Sequence, residues 1–130
     1  MTDGTDDAMS RPDERPTLVL VTGDLFLGSR IRGMAERSGY AAVTMPRPSR
    51  PLESHAGATT VRVVIDLTAP GLEMERLADW LGDAAASRTL AYAPHVRTDL
   101  LKAARAAGIG TVLVRSQLDE SLPRWLASRD

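Results

Sequence analysis

The chain contains no cysteine among its 130 residues. This absence excludes disulfide bonds, thiolate zinc sites, iron–sulfur clusters and cysteine nucleophiles. Histidine is nearly as scarce, because His55 and His95 are the only two, which is too few for a histidine cage around a metal. Any bound metal would therefore need oxygen ligands.

An excess of charge of one sign is also missing. Lys and Arg number 16 against 17 Asp and Glu, so the formal net charge is −1. No global field then attracts nucleic acid or an anionic membrane. This balance favours protein or small-molecule partners, and it predicts neither nucleic-acid nor membrane binding.

Long apolar runs are absent too, since no stretch approaches the roughly 18 residues that a membrane span needs. The first residues carry Asp3, Asp6 and Asp7 where a secretory signal would have a basic region and an apolar run. We therefore predict a cytoplasmic protein. Residues 1–16 have almost nothing to bury, which is typical of a disordered tail. Residues 17–130 then form one domain of ordinary size.

Five short apolar segments predict strands, at Thr17–Thr22, Tyr40–Met45, Val61–Leu67, Thr89–Ala93 and Thr111–Val114. Segments with apolar residues at helical spacing separate most of them, and Gly39 and Gly108 are expected to end two of these helices. The strands are apolar throughout, which is typical of a parallel sheet covered on both faces. The predicted fold is α/β: a doubly wound, flavodoxin-like, three-layer sandwich with a five-stranded parallel sheet of order 2-1-3-4-5.

In such a sheet, a functional site lies outside the carboxyl ends of the strands, where the winding direction switches. We expect this edge to collect the residues that follow the strands. They are Thr22, Gly23, Asp24, Asp66, Thr68, Ala93, Pro94, His95, Arg115 and Ser116.

One segment of the sequence resembles a known family. VVIDLTAPG, Val63–Gly71, is similar to the third strand and following loop of response-regulator receiver domains, in which an apolar strand ends in the phospho-accepting Asp and a Pro lies four residues later. Asp66 and Pro70 match that spacing. ARAAGIGTVLVRS, Ala104–Ser116, resembles the fourth helix and fifth strand of a receiver, so the resemblance spans Thr17 to about Ser116. It implies a role in signal transduction.

Several positions depart from the receiver pattern. Receivers hold a magnesium ion through an acidic pair directly after the first strand, and here those positions are Thr22 and Gly23. The hydroxyl residue after the fourth strand corresponds to Ala93, or to Tyr92 if the alignment shifts by one residue. The lysine after the fifth strand is replaced by Arg115. The resemblance is therefore to a degenerate, atypical receiver, or pseudo-receiver.

Asp66 allows two interpretations. It is either a phosphorylation site, which would make the chain a functional phospho-accepting single-domain response regulator, or a strand-end carboxylate paired with Arg115 or with loop amides. We favour the second. Phosphoryl transfer depends on neutralisation of the developing charge, and the acidic pair that would hold the magnesium ion is missing. The chain is then not an enzyme and has no catalytic residues, resident metal or cofactor. Asp24 either leans into this site or caps the first helix, and we favour the cap; for His95 we favour a polar cap over a ligand contact.

A nucleotide-binding alternative comes from VTGDLFLGSR, Val21–Arg30. This segment is similar to the phosphate-binding turn of dinucleotide-binding dehydrogenases, but only Gly23 and Gly28 are present and their spacing is wrong. A small Rossmann-like nucleotide-binding protein or enzyme stays as the alternative function.

The favoured function is a receiver-like regulatory or adaptor domain that binds a protein partner, such as a signalling protein, and a homodimer is left open. We place the contact surface on the fourth helix, the fifth strand and the terminal helix, which combine arginine with apolar and aromatic residues. The terminal helix is expected to begin at Ser121 as its N-cap, with Pro123 in its first turn. The candidate interface residues are Arg105, Leu118, Leu122, Arg124 and Trp125.

Overall fold

The computed structural model describes residues 15–52, 54 and 60–128. The predicted tail over residues 1–16 lies outside these residues, except for residues 15 and 16. None of the helices formed by these residues has both the length and the apolar content of a membrane span. The strands are β1 Thr17–Val21, β2 Ala41–Met45, β3 Val61–Asp66, β4 Thr89–Ala93 and β5 Thr111–Val114. The helices are α1 Leu25–Arg37, α2 Met74–Leu81, α3 Ala84–Ser87, α4 Thr98–Ala106 and α5 Leu118–Ala127.

The five strands form one parallel sheet in the order β2-β1-β3-β4-β5. This confirms the predicted flavodoxin-like fold. The register places Val21 beside Ile65 and Asp66 beside Tyr92, so the carboxyl ends of β1, β3 and β4 lie close together. The residues that follow these strands therefore share one edge of the sheet.

Each face of the sheet has its own apolar core. On one face, alternate strand residues such as Val63 and Ile65 pack with buried residues of α2, α3 and α4. On the other, Val64 and Leu90 pack with the buried stripes of α1 and α5. A strand buried on both faces needs apolar residues at most positions, which is why β1, β3 and β4 are nearly continuous apolar runs.

Two helices end where glycine allows the backbone to turn back. Gly39 and Gly108 both have φ +91°, a conformation that residues with a Cβ rarely adopt. Both helix ends agree with those predicted from the sequence.

The terminal helix begins earlier than predicted. A 3-10 turn at Arg115–Gln117 leads directly into α5, so Pro123 lies inside the helix and not in its first turn. The expected N-cap at Ser121 is therefore wrong. Burial of Leu118, four residues before the buried Leu122, extends the apolar face upstream, and this outweighs the one backbone hydrogen bond that Pro123 cannot donate.

A buried arginine fixes the end of α5 on the sheet. Arg62 of β3 is 5% exposed and donates hydrogen bonds to the carbonyl oxygens of Trp125 and Ser128. Its guanidinium carbon also lies 4.8 Å from the centroid of the Trp125 ring. A cation at this position complements the partial negative charge of a helix C-terminus and stacks on an aromatic face.

Candidate functional site

Asp66 lies at the carboxyl end of β3 and is 5% exposed. Its Oδ2 accepts a hydrogen bond from the Thr22 hydroxyl at 2.8 Å. Its Oδ1 accepts from the backbone N–H of Thr68 at 2.9 Å and from the Thr68 hydroxyl at 2.6 Å. Neutral donors from its own chain thus occupy both oxygens of the carboxylate.

Thr22 connects this carboxylate to the start of α1. Besides donating to Asp66, its buried hydroxyl accepts a hydrogen bond from the backbone N–H of Asp24 at 3.0 Å. One hydroxyl therefore holds the β1–α1 loop against the end of β3.

Tyr92 completes what we call the Asp66 cluster, which consists of Thr22, Asp66, Thr68 and Tyr92. Its side chain is buried, and its hydroxyl has no hydrogen-bond partner among the described residues. Burial raises the pKa of Tyr92 above its ordinary value, and the negative charge of Asp66 raises it further. The nearby Thr22 hydroxyl and the positive charge of Arg115 act in the opposite direction and lower it. Tyr92 therefore stays neutral beside Asp66.

The hydroxyl expected near the end of β4 belongs to Tyr92 and not to the position of Ala93. Ala93 is fully buried and packs with the apolar core on the α2–α4 face. Asp66 is in register with Tyr92, whose ring belongs to the core on the α1–α5 face. The phenol beside Asp66 is therefore that of Tyr92, and Ala93 is not part of the cluster.

Asp24 makes a second set of contacts at the same edge. Its Oδ1 accepts a hydrogen bond from the backbone N–H of Leu27 at 3.0 Å, which makes it the N-cap of α1. Its Oδ2 accepts from Nη2 of Arg115 at 2.5 Å. The Leu27 amide lowers the pKa of the Asp24 carboxyl, and Arg115 adds to this against the opposing effect of burial. The favoured cap interpretation is thus correct.

The predicted ion pair between Asp66 and Arg115 is wrong, because Arg115 binds Asp24. Asp66 is held by a loop amide and hydroxyls, as the other form of the prediction allowed. The physical reason is burial: the Arg115 side chain keeps 47% of its surface in water at Asp24, whereas pairing with Asp66 would require its desolvation.

An open cleft of about 380 Å³ lies beside the Asp24–Arg115 pair. The β4–α4 loop contributes Pro94 and His95 to this cleft, and Arg115 and Ser116 contribute from the end of β5. His95 and Ser116 are exposed. Gly23 is exposed too, on the side of the edge that faces Pro70.

Gly28, the second glycine of the nucleotide-binding alternative, lies inside α1 and is buried. A Cβ at this position would lie 3.2 Å from Cγ2 of Thr22, so close packing between α1 and β1 explains this glycine. It does not belong to a phosphate-binding turn.

The residues of this edge do not fit the magnesium ion that the receiver resemblance implies. Such an ion needs several oxygen ligands. The described residues contain no group of three or more carboxylate or imidazole side chains that could hold a metal. Both oxygens of Asp24 are engaged by Leu27 and Arg115, and the two positions that would supply the acidic pair carry Thr22 and Gly23.

The candidate interface residues divide into two groups. Leu118 and Leu122 are buried in the core against α1, so their assignment to an interface is wrong. Helical spacing had marked them as one apolar face, and that face packs on the sheet. Arg105 and Arg124 are exposed, and Arg124 pairs with Glu120 of the same helix at 2.9 Å. Trp125 is half-buried over Arg62.

Sequence reasoning missed two contributors to this edge. Tyr92 was considered only as an alignment alternative, although the period-2 alternation of β4 places it on the same face as Leu90. The ion pair between Arg30 and Asp119, which joins α1 to α5, carries no sequence signal because its partners are 89 residues apart.

Solved structures of receiver domains share this fold. The non-phosphorylated HemR receiver domain from Leptospira biflexa is 16% identical, with a TM-score of 0.67 over 89% of this chain and 98% of that one. A receiver domain protein from Clostridium thermocellum is 17% identical, with a TM-score of 0.66 over 86% of this chain and 90% of that one.

A third similar structure is a response regulator from Burkholderia pseudomallei with a phosphorylated aspartic acid, a calcium ion and citrate. It is 22% identical, with a TM-score of 0.62 over 86% of this chain and 66% of that one. No protein-family model and no curated protein matches the sequence. At these identities the likeness shows the fold alone, and the chain has the fold of a response-regulator receiver domain.

Proposed function

Given the receiver fold, we propose that this chain is a regulatory adaptor that acts through protein contacts, without magnesium-dependent phosphorylation at Asp66 and without enzymatic activity. The observation that carries the proposal is the Asp66 carboxylate, whose two oxygens are bound by Thr22 and Thr68. Phosphorylation of either oxygen would displace the donors that this oxygen binds. Phosphoryl transfer also depends on cations that neutralise the developing charge.

The cation of this edge supports the same proposal. Arg115 occupies the position of the lysine that receiver domains have after the fifth strand. Its Nη2 donates a hydrogen bond to Oδ2 of Asp24 at 2.5 Å. Its guanidinium contributes to holding the β1–α1 loop against the start of the 3-10 turn. Contacts within the chain thus hold this edge in place, as expected of a module that presents one fixed state to its partner.

Incubation with acetyl phosphate and magnesium tests the proposal. We expect the intact mass of the wild-type chain to stay unchanged, as for Asp66→Asn. A phosphoryl adduct on the wild type that disappears in Asp66→Asn would contradict the proposal and support the phospho-accepting alternative.

A variant with the acidic pair restored provides the positive control. Thr22→Asp removes the hydroxyl that binds Asp66, and Gly23→Asp adds the second carboxylate. A Cβ at Gly23 would lie 3.6 Å from Cδ of Pro70, which is an ordinary contact. We expect this double variant to gain magnesium-dependent phosphorylation, and a further Asp66→Asn substitution to abolish it.

The contact surface in this proposal comprises the exposed parts of α4, β5 and α5, where Arg105 and Arg124 lie. A signalling protein or a second copy of the chain is the partner. Arg105→Glu combined with Arg124→Glu should change self-association in light scattering, or remove partners in affinity capture. Arg76→Glu, an exposed arginine of α2, serves as the control. A folded double variant with unchanged association and an unchanged partner set would exclude this surface.

A further inference from the structure

The near-neutral total charge conceals a strong asymmetry along the chain. Residues 1–14 contain five acidic residues and one arginine, so this segment carries a net charge of −4 while the whole chain carries −1. The remaining residues therefore carry +3. Opposite charges on two parts of one chain attract each other.

A groove between α1 and α5 offers a surface of suitable character. It has a volume of about 680 Å³, and Phe26, Ser29, Gly33 and Met34 of α1 line it together with Pro123 of α5. Phe26 is the only phenylalanine of the chain and is 88% exposed. Phe26, Met34 and Pro123 line the same groove, and contiguous exposed apolar surface is typical of a binding site.

The positive end of this groove lies at Arg37. Arg30 also lines the groove, but it pairs with Asp119, which neutralises its charge. Arg37 ends α1 and folds back over Gly33, where its Nη1 lies 3.3 Å from the place a Cβ would occupy. An acidic ligand would therefore bind at the C-terminal end of α1.

The acidic segment joins the domain at that same end. The carbonyl oxygen of Pro16 accepts a hydrogen bond from the backbone N–H of Ala41 at 2.9 Å, just after α1 ends. From Arg37 to Phe26 the groove runs about 17 Å along the helix. An extended chain from Glu14 back to Met9 reaches about 17 Å. A segment held by Glu14 at Arg37 would thus be just long enough to bring Met9 to Phe26.

We propose that the acidic segment, residues 1–14, docks in the α1–α5 groove of its own chain. Asp13 and Glu14 pair with Arg37, and Met9 covers Phe26. Exposed ion pairs are individually weak, but a short tether gives the segment a high effective concentration at the groove. The segment would thus compete with an acidic partner for the groove, a regulation that goes beyond the proposed function.

The absence of cysteine allows a clean test on the full chain. A nitroxide attached to Ala8→Cys is the only label, and amide spectra of the isotope-labelled chain report what lies near it. We expect the amide peaks of Ser29 and Gly33 to be lost while that of Lys102, on α4 across the sheet, keeps its intensity. Raising the salt concentration should restore the lost peaks, because salt screens exposed charges.

Matched variants separate this proposal from its rivals. Arg37→Gln should restore the Gly33 peak, Arg37→Lys should leave it lost, and Arg105→Gln on α4 should change nothing. The proposal is overturned if Gly33 keeps its intensity in the spin-labelled wild type, or if Arg37→Gln has no effect. It is also overturned if spin-labelled chains broaden Gly33 of unlabelled copies equally, since the occupant is then a second copy.

Discussion

Two aspartates lie at the same edge of the sheet and are held in opposite ways. Asp66 is 5% exposed and is bound by two hydroxyls and an amide. The Asp24 side chain is 32% exposed and is bound by an amide and a guanidinium. Taking an arginine into the interior costs desolvation, so the buried carboxylate is satisfied by neutral donors while the hydrated one takes the cation.

This difference bears on phosphorylation. In the Asp66 cluster the negative charge has hydrogen bonds but no ion pair with any described residue, and at Asp24 the cation is already neutralised. A transferred phosphoryl group would need both a free carboxylate and free positive charge in one place. The edge separates the two, which is why we propose a module that acts by contact and not by phosphorylation.

Removing the Thr22 hydroxyl should have the largest effect on this comparison. Thr22→Val keeps the shape of the side chain but leaves Oδ2 of Asp66 without its 2.8 Å hydrogen bond and the Asp24 amide without its acceptor. We expect a loss of about 1–3 kcal/mol in the free energy of unfolding, measured with urea.

Thr22→Ser is the matched control, because it keeps the hydroxyl and removes only the methyl group that packs on Gly28. The valine variant should be clearly less stable than the serine variant. Equal stability of the two would show that the hydroxyl does not hold the Asp66 cluster together.

Tyr92→Phe should have a smaller effect at neutral pH. The Tyr92 hydroxyl has no partner among the described residues, so its removal should change the free energy of unfolding by less than about 1 kcal/mol. Tyr40→Phe is the control, because the buried Tyr40 hydroxyl donates to the carbonyl oxygen of Leu126 at 2.8 Å. If the Tyr92 variant loses more stability than the Tyr40 variant, the hydroxyl has a partner after all.

The alkaline range sharpens this prediction. Since the pKa of Tyr92 is raised in the folded state, its contribution to stability is fully present below the unfolded value of about 10 and is lost as pH rises through the folded pKa. Stability of the wild type should therefore fall above pH of about 10, and Tyr92→Phe should remove part of that slope. Urea unfolding across this pH range measures the difference.

The fold could be predicted from the sequence because its signals are local. A strand such as Thr17–Val21 is apolar at four of its five positions, and a glycine such as Gly39 marks a helix end. The role of Leu118 and Leu122 was predicted wrongly, since helical spacing shows that they share a face but not whether that face meets the sheet or a partner.

The contacts of the site were less predictable. Asp24 and Asp66 both lie at the same edge of the sheet. Which of the two carboxylates forms the ion pair with Arg115 depends on how deeply each is buried. Burial at a strand end is decided by helices distant in sequence, so no local pattern ranks the two. Arg62 is a second example. The sequence shows a charged residue inside an apolar strand, but it does not show that its hydrogen-bond partners lie at the end of α5.

The Asp24–Arg115 pair should contribute least to stability, because it is exposed and because the cap, not the pair, is the largest cause of the lowered pKa of Asp24. We expect Arg115→Gln to leave that pKa below its ordinary value while raising it part of the way. A lowered folded pKa contributes stability above the unfolded value, and this is lost as pH falls through the folded pKa. The variant should therefore lose less stability in acid than the wild type.

A carboxyl-carbon titration by nuclear magnetic resonance measures the pKa of Asp24 directly. Arg30→Gln is the matched control, because it removes a guanidinium that binds Asp119 at the same cleft. Only Arg115→Gln should move the pKa of Asp24. A full return to the ordinary value would mean that the arginine dominates and the Leu27 amide contributes little. An unmoved pKa would mean that the pair does not form in solution, and Arg115 would then be free to face an anionic partner in the cleft beside His95.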